Sequence, residues 1–150
     1  MSPVFKSQLE SVKEKTIEEI KNILREYFQK HSEIEVAYIF GSIAQGRTSA
    51  LSDIDIAIII NDQQVNVKTY RYGYKAEILA DLIKLFKTNN IDLVILNEAS
   101  ILLKHQVLYF GKLIYSKNER KRIAFQTDTI NKYNDFKHLI KPYLAGVGSD

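Results

Sequence analysis

The sequence predicts an α/β protein, in the sense of α+β, with a small mixed β-sheet flanked by helices. Short β-branched segments alternate with longer segments whose apolar residues recur at helical intervals. The chain has 150 residues, 45% of them aliphatic or aromatic and 26% charged, which is typical of a globular domain. It contains no internal repeat and no linker, so we expect residues 1–150 to form a single domain.

The first part of the chain predicts a long helix and two strands. Ser7 and Glu10 have the spacing of a capping box, and a helical apolar pattern follows to about residue 29. Residues 35–40 and 53–60 are short and rich in β-branched side chains, so each is predicted to be a strand. The intervening residues are rich in Gly, Ser, Ala and Thr, which predicts a loop or one short helical turn.

The second part predicts three helices and two strands. Residues 62–74 are polar with interleaved tyrosines, which indicates a loop or a β-excursion. The elements that follow are a helix over 75–88, a strand over 91–96, a helix over 100–110 and a strand over 113–115. A final helix is predicted over 120–144, disturbed near its end by Pro142 and followed by a mobile tail over 145–150.

Composition excludes several classes of protein. The absence of cysteine rules out disulfide frameworks and zinc–thiolate sites. No signal-peptide pattern opens the chain, and its most apolar run, residues 56–60, is too short to cross a bilayer, so we expect a cytoplasmic protein with no membrane contact. The net charge of +3 is too small for a dedicated nucleic-acid binder, and we expect no direct nucleic-acid partner. The densest basic patch, Lys117 with residues 120–122, is interpreted as a solvated helix start.

Asp53 and Asp55 are the first candidates for chemistry. Side chains alternate across a strand, so the two carboxylates share one face. Two carboxylates that close together repel each other unless a cation lies between them. Magnesium is the natural cation for oxygen ligands, with manganese as a substitute. The alternative, two solvent-facing residues, is the default for an isolated Asp-x-Asp. The continuous apolar run at 56–60 favours a metal site, because an unpaired acid beside a buried strand is costly.

Asp92 and the Gly41–Ser42 pair extend this candidate site. Asp92 is the second residue of an apolar segment, and it completes a three-acid cluster if that strand neighbours the strand over 53–60. Gly41 and Ser42 directly follow a strand, where backbone N–H groups and a hydroxyl can bind phosphate. Taken alone, the dipeptide is more often a plain turn.

Taken together, Gly41 and Ser42, ten intervening residues, and then Asp53 and Asp55 resemble the signature of the DNA polymerase beta-like nucleotidyltransferase superfamily. In layout the resemblance extends through residues 102–116 to the last helix. It implies the polymerase beta-like fold and the transfer of a nucleoside monophosphate from a nucleoside triphosphate to a hydroxyl group.

The surrounding residues are similar to the minimal nucleotidyltransferase (MNT) subgroup, at Gly46, Arg47, Ser52 and the strand with Asp92. The catalytic residues, which are also the metal ligands, are then Asp53, Asp55 and Asp92, the last of them on the second metal ion or acting as proton acceptor. The residues expected to bind the nucleotide are Gly41, Ser42, Arg47 and Ser52.

Many chains of this size and pattern are MntA-type antitoxins, encoded beside HEPN-domain RNase toxins. The resemblance implies that ATP is the substrate, that AMP is transferred to a tyrosine hydroxyl of the toxin, and that the two proteins form a hetero-oligomer. Two alternatives stay open: a binding-only antitoxin that acts sterically, and transfer to the hydroxyl of a small molecule.

The remaining aromatic residues predict packing. Three alternating tyrosines offer a surface that could stack on adenine or a protein partner, but packing of a loop or β-ribbon is favoured: Tyr70, Tyr72 and Tyr74. A second set is interpreted as core or helix-packing aromatics: Tyr109, Tyr115, Tyr133 and Tyr143.

Overall fold

The computed structural model describes residues 17–44, 53–65 and 73–148, and of Ser42 and residues 140–148 it describes the backbone only. In chain order the elements are α1 (Ile17–Gln29), β1 (Ile34–Phe40), α2 (Gly41–Ala44), β2 (Ile54–Ile60), α3 (Tyr74–Phe86), β3 (Ile91–Ile95), α4 (Ile101–Phe110), β4 (Lys112–Ser116) and α5 (Glu119–Gly148). Short 3₁₀ turns follow β2 and β3, at Asp62–Gln64 and Leu96–Glu98.

The four strands form one mixed sheet in the order β3-β2-β1-β4. β1 runs antiparallel to both of its neighbours, whereas β2 and β3 are parallel. The end of β1 and the starts of β2 and β3 therefore lie along one edge, where Asp55 is paired with Phe40 on one side and with Asp92 on the other. We call this end of the sheet, across β1, β2 and β3, the acidic edge. The mixed sheet flanked by helices confirms the predicted fold class.

Helices cover both faces of the sheet. α1 and α3 pack on one face, against the even-numbered isoleucines of β2. α4 and α5 pack on the other face, where Ala57 and Ile59 of β2 meet Val107 and Phe125. Because strand side chains alternate, Asp55 projects from the face that α4 and α5 cover. Asp92 projects from the same face as Val94, which packs in the same cluster.

The predicted elements are present, with different ends. The prediction of a loop or one helical turn after the first strand is confirmed at Gly41–Ala44, which is helical. The capping box at Ser7 and Glu10 and most of the tyrosine-rich segment lie outside the described residues. In its described part that segment has no β-excursion: Asp62–Gln64 is a 3₁₀ turn whose cap, the Asn61 side chain, accepts a hydrogen bond from the Gln63 amide.

The last helix is longer than predicted. It runs from Glu119 to Gly148 and passes through Pro142, so the expected disturbance does not end it. The structure assigns residues 145–148 to this helix, residues 149–150 lie outside the described residues, and the mobility of the tail stays a prediction. Proline removes one N–H donor, and the intact hydrogen bonds on both sides of it can carry a long helix across. Within the described residues no helix has the length and apolar character to span a bilayer.

Two interpretations of side chains are corrected. Tyr109 is 73% exposed and lies outside the core, and its ring contacts only His105 and Phe110 of its own helix among the described ring contacts. The basic patch is not simply solvated: Lys121 forms an ion pair with the buried Glu35 at 3.0 Å, and Lys117 donates to the Ser32 carbonyl. Tyr74 is buried at the start of α3 and donates to Glu33, in agreement with the packing interpretation.

Candidate active site

Asp55 stands at the centre of the acidic edge. It is the second residue of β2, and its Cα lies opposite that of Asp92, the second residue of β3. The Ile54 amide donates to the Asn90 carbonyl at 2.8 Å, which fixes the parallel pairing at its first step. Asp53 precedes β2 and is exposed, as is Asp92, whereas Asp55 is half-buried.

Electrostatic repulsion is built into this edge. Burial raises the pKa of Asp55 to about 6, and the negative charges of Asp92 and Asp53 contribute to the rise. A carboxylate in this position is stabilised when it binds a proton or a cation. The chemistry of the three oxygen donors therefore fits a divalent cation such as magnesium.

The acids do not form a closed metal-binding group in the structure. Among residues 17–44, 53–65 and 73–148, no three acidic, histidine or cysteine side chains lie close enough together to hold an ion. The charges of Asp53 and Asp92 act on Asp55 at this edge, and the register of β2 and β3 sets Asp55 and Asp92 side by side. The three-acid metal cluster stays a prediction.

Gly41 explains how the backbone after β1 fits against these acids. It is the first residue of α2 and has φ = +75°, a left-handed conformation that favours glycine. A Cβ at this position would overlap the Asp55 carboxylate, with the Asp55 Cγ only 3.0 Å away. Glycine alone allows the chain that leaves β1 to lie directly on the central acid.

The other predicted nucleotide-binding residues are less well defined. Ser42 is the second residue of α2, and only its backbone is described. Arg47 and Ser52 lie outside the described residues. Because α2 has only four residues, its dipole is weak, and phosphate binding there would depend on individual N–H groups.

The sequence did not reveal a group of polar residues that lies between β1 and the elements α4, β4 and α5. Tyr38, Arg122 and Gln126 line a cavity of about 270 Å³ together with Tyr109 and other residues of α4, β4 and α5. Burial raises the pKa of Tyr38, so its phenol stays protonated. A tyrosine in a mostly apolar strand was a possible indication, but its neighbours come from residues more than 65 positions later in the chain.

Comparison with known proteins places these features in a family context. The family model described as Polymerase beta, Nucleotidyltransferase matches residues 18–120. The matched region begins in α1 and ends at the start of α5, and it includes the whole acidic edge.

Two curated relatives and one solved structure are similar over most of their length. A protein adenylyltransferase MntA from Aphanizomenon flos-aquae is 27% identical over 135 residues, covering 88% of this chain and 90% of that protein. A protein adenylyltransferase MntA from Shewanella oneidensis is 31% identical over 114 residues, covering 76% and 74%. A crystal structure of a toxin–antitoxin with AMP-PNP matches with a TM-score of 0.69 at 25% identity, covering 85% of this chain and 97% of that one.

Substitution of Gly41 tests the close approach to Asp55. Gly41→Ala is expected to lower the free energy of unfolding by about 2–4 kcal/mol, from backbone strain plus the overlap, and to remove the rise in Tm on adding magnesium. Gly73→Ala is the matched control, because Gly73 also has a positive φ, of 94°, but nothing lies within 4 Å of an added Cβ. A Gly41→Ala protein that responds to magnesium as Gly73→Ala does would contradict this account.

Substitution of Asp55 tests the repulsion. The pKa of this carboxyl is raised from 3.8 to about 6 in the fold, so ionisation destabilises the folded state as pH rises through that interval. Without divalent cations, Asp55→Asn is therefore expected to have a higher Tm than the wild type above about pH 6 and a similar Tm near pH 4. Thermal unfolding across this range in EDTA measures the difference.

Magnesium should then raise the Tm of the wild type more than that of Asp55→Asn, since the variant has lost one ligand charge. Asp62→Asn, an exposed acid in the first 3₁₀ turn, is the control. A Tm difference between wild type and Asp55→Asn that does not vary with pH would rule out the repulsion as its cause.

Proposed function

The chain belongs to the polymerase beta nucleotidyltransferase family, and we propose that it is an antitoxin that transfers AMP from ATP to a tyrosine hydroxyl of a HEPN-domain RNase toxin. Pyrophosphate leaves, and the modified toxin is neutralised. One observation carries the proposal: the paired register of β2 and β3 sets Asp55 opposite Asp92 at the edge where Gly41 lies against the central carboxylate. Relatives named protein adenylyltransferase support the choice of AMP, and a related toxin–antitoxin with AMP-PNP supports ATP and a toxin partner.

The proposed metal ligands are Asp53, Asp55 and Asp92, and the proposed ion is magnesium. When bound, magnesium neutralises the charge of the triphosphate and lowers the pKa of the acceptor hydroxyl. The raised pKa of Asp55 supports this assignment, because a carboxylate that repels its neighbours gains most from a cation.

The residues of the chain position the reactants. Gly41, with Ser42 beside it, presents backbone to the phosphates next to Asp55, and Arg47 and Ser52 are proposed to assist. The acceptor oxygen then forms a bond to the α-phosphorus, while the bond from that phosphorus to the oxygen bridging to the β-phosphorus breaks. Asp92 is exposed on an outer strand and is therefore accessible as acceptor for the proton of the attacking hydroxyl.

The binding-only alternative is less well supported. A protein that acts only as a steric block has no use for three like charges at one edge, which cost stability in the absence of a cation. Transfer to a small molecule is less well supported, because both curated relatives are named protein adenylyltransferases.

The central test removes the two acids of β2. Asp53→Asn combined with Asp55→Asn is expected to reduce transfer of label from α-labelled ATP to the toxin by about a thousandfold or more, while the protein stays folded. Asp128→Asn, an exposed acid of α5, is the control. If the double variant still silences the RNase activity of the toxin without labelling it, the binding-only alternative is correct.

Asp92 can be separated from nucleotide binding. Asp92→Ala is expected to lower kcat by about 100-fold, as for the loss of a proton acceptor, and to change the Kd for ATP by less than about threefold. Single-turnover transfer and equilibrium binding measure the two quantities. Unchanged turnover would remove Asp92 from the mechanism.

A further inference from the structure

Exposed apolar side chains are concentrated on one face of the molecule. Of the eight large hydrophobic residues that are exposed in the described part of the chain, seven belong to α4, β4 and α5: Leu102, Tyr109, Phe110, Leu113, Ile123, Ile130 and Leu139. The eighth, Leu85, lies on α3, on the opposite face of the sheet. Scattered apolar residues need no explanation, but a one-sided concentration marks an interaction surface.

This surface adjoins the acidic edge. α4 ends at Phe110, and a Cβ on the next residue, Gly111, would lie 3.0 Å from the carbonyl oxygen of Ile39, two residues before Gly41. Asp55 and Asp92 project from the face of the sheet that α4 and α5 cover. Four strands span only about 14 Å, whereas an interface of ordinary size covers about 800 Å² of each partner. A protein that brings a tyrosine to the acidic edge from this face must therefore cover the adjoining surface as well.

The cavity beside Tyr38 provides an anchor point within this surface. Its mouth is bordered by Tyr109, Leu113 and Ile130, which are 73%, 41% and 44% exposed. The Tyr38 hydroxyl is buried and has no hydrogen-bond partner among the described residues. Arg122 also lines the cavity. Its Nε donates to Glu119 and its Nη1 donates to Gln126. Among the described contacts this leaves Nη2 to donate to a further acceptor.

We propose that the surface formed by Tyr109, Leu113 and Ile130 is the docking site for the toxin, and that the cavity receives one toxin side chain that ends in a carboxylate or amide oxygen. The inference rests on the proposed function, which supplies a protein acceptor. An apolar rim around polar walls is the arrangement in which a single buried side chain anchors an interface. The guanidinium of Arg122 in the wall selects an oxygen acceptor at its tip.

The test compares two matched charge insertions. Ile130→Glu places a carboxylate on the rim, and Leu85→Glu places one at a residue of similar exposure, 40%, on the other face. The probe is the HEPN-domain toxin proposed as the partner, and calorimetry without ATP measures its Kd. Ile130→Glu is expected to raise the Kd by about tenfold or more, and Leu85→Glu by less than about twofold. In transfer assays Ile130→Glu should raise the KM for the toxin and leave the KM for ATP unchanged.

A second variant, at Tyr109, tests the same surface without inserting a charge. Tyr109→Ala trims an exposed side chain, so it should weaken toxin binding without loss of Tm. Equal Kd values for Ile130→Glu and Leu85→Glu would overturn the docking site, as would a raised KM for ATP in Ile130→Glu, which would make the cavity part of the nucleotide site. A mass that is dimeric for the wild type and monomeric for Ile130→Glu in light scattering would assign the surface to a second copy of the chain and overturn the proposal.

The Kd measurements and the transfer assays distinguish failure of the docking site from failure of the proposed function. If the wild type binds the toxin but does not label it, the proposed function fails, and the Kd values still decide the docking site. If the wild type labels the toxin and Ile130→Glu binds normally, the docking site fails and the function stands. A wild type that neither binds nor labels the toxin overturns both.

Discussion

The register between β2 and β3 is the constraint on which the rest of the site depends. Parallel pairing sets Asp55 beside Asp92, and antiparallel pairing with β1 brings the start of α2 to the same point. A slip of one residue in either pairing would turn a carboxylate to the other face of the sheet, into the isoleucine-rich core under α1 and α3. The apolar remainder of β2 prevents this, because Ile56, Ile58 and Ile60 are buried on that other face. The strand that makes the core therefore also aims the acid.

The site is held in a state that is unfavourable without a ligand. Burial and two neighbouring acids raise the pKa of Asp55, and Gly41 leaves no space between the backbone and this carboxylate. The stability of the surrounding core offsets the repulsion between these carboxylates. The site gains affinity for a cation because the cation relieves that repulsion. Asp55 and Asp92 stand at the starts of their strands, where water and substrate can reach them.

The sequence predicts the parts of this arrangement better than their contacts. Alternation and β-branched side chains were sufficient for the strands, whereas the shared face of Asp53 and Asp55 stays a prediction, because Asp53 precedes β2. The role of Asp92 depended on which strands are neighbours, which the sequence could state only as a condition. The left-handed conformation of Gly41 and its contact with Asp55 could not be predicted, because they depend on how β1 and β2 pair.

Pairs of residues that are far apart in the chain also could not be predicted from the sequence. Glu35 looks like a solvent-facing acid at the start of a strand, but it is buried and paired with Lys121, 86 positions later, whose Nζ also donates to the Ile60 carbonyl. No local pattern reveals such a pair. The basic cluster at the start of α5 therefore looked like a solvated surface when part of it anchors the helix to the sheet.

The exposed apolar residues of the last helix give the proposed partner a second role, in the stability of the fold. α5 has 30 residues and is about 45 Å long. Among its side chains that the structure describes, residues 119–139, Thr129 alone is buried, and the Thr129 hydroxyl has no partner there. Helices of this kind gain little from their own backbone and depend on packing of an apolar face. α4 covers one side of α5 through Phe125 and its neighbours. Ile123, Ile130 and Leu139 remain in solvent, so an interface that buries them would stabilise the helix as well as bring an acceptor to the acidic edge.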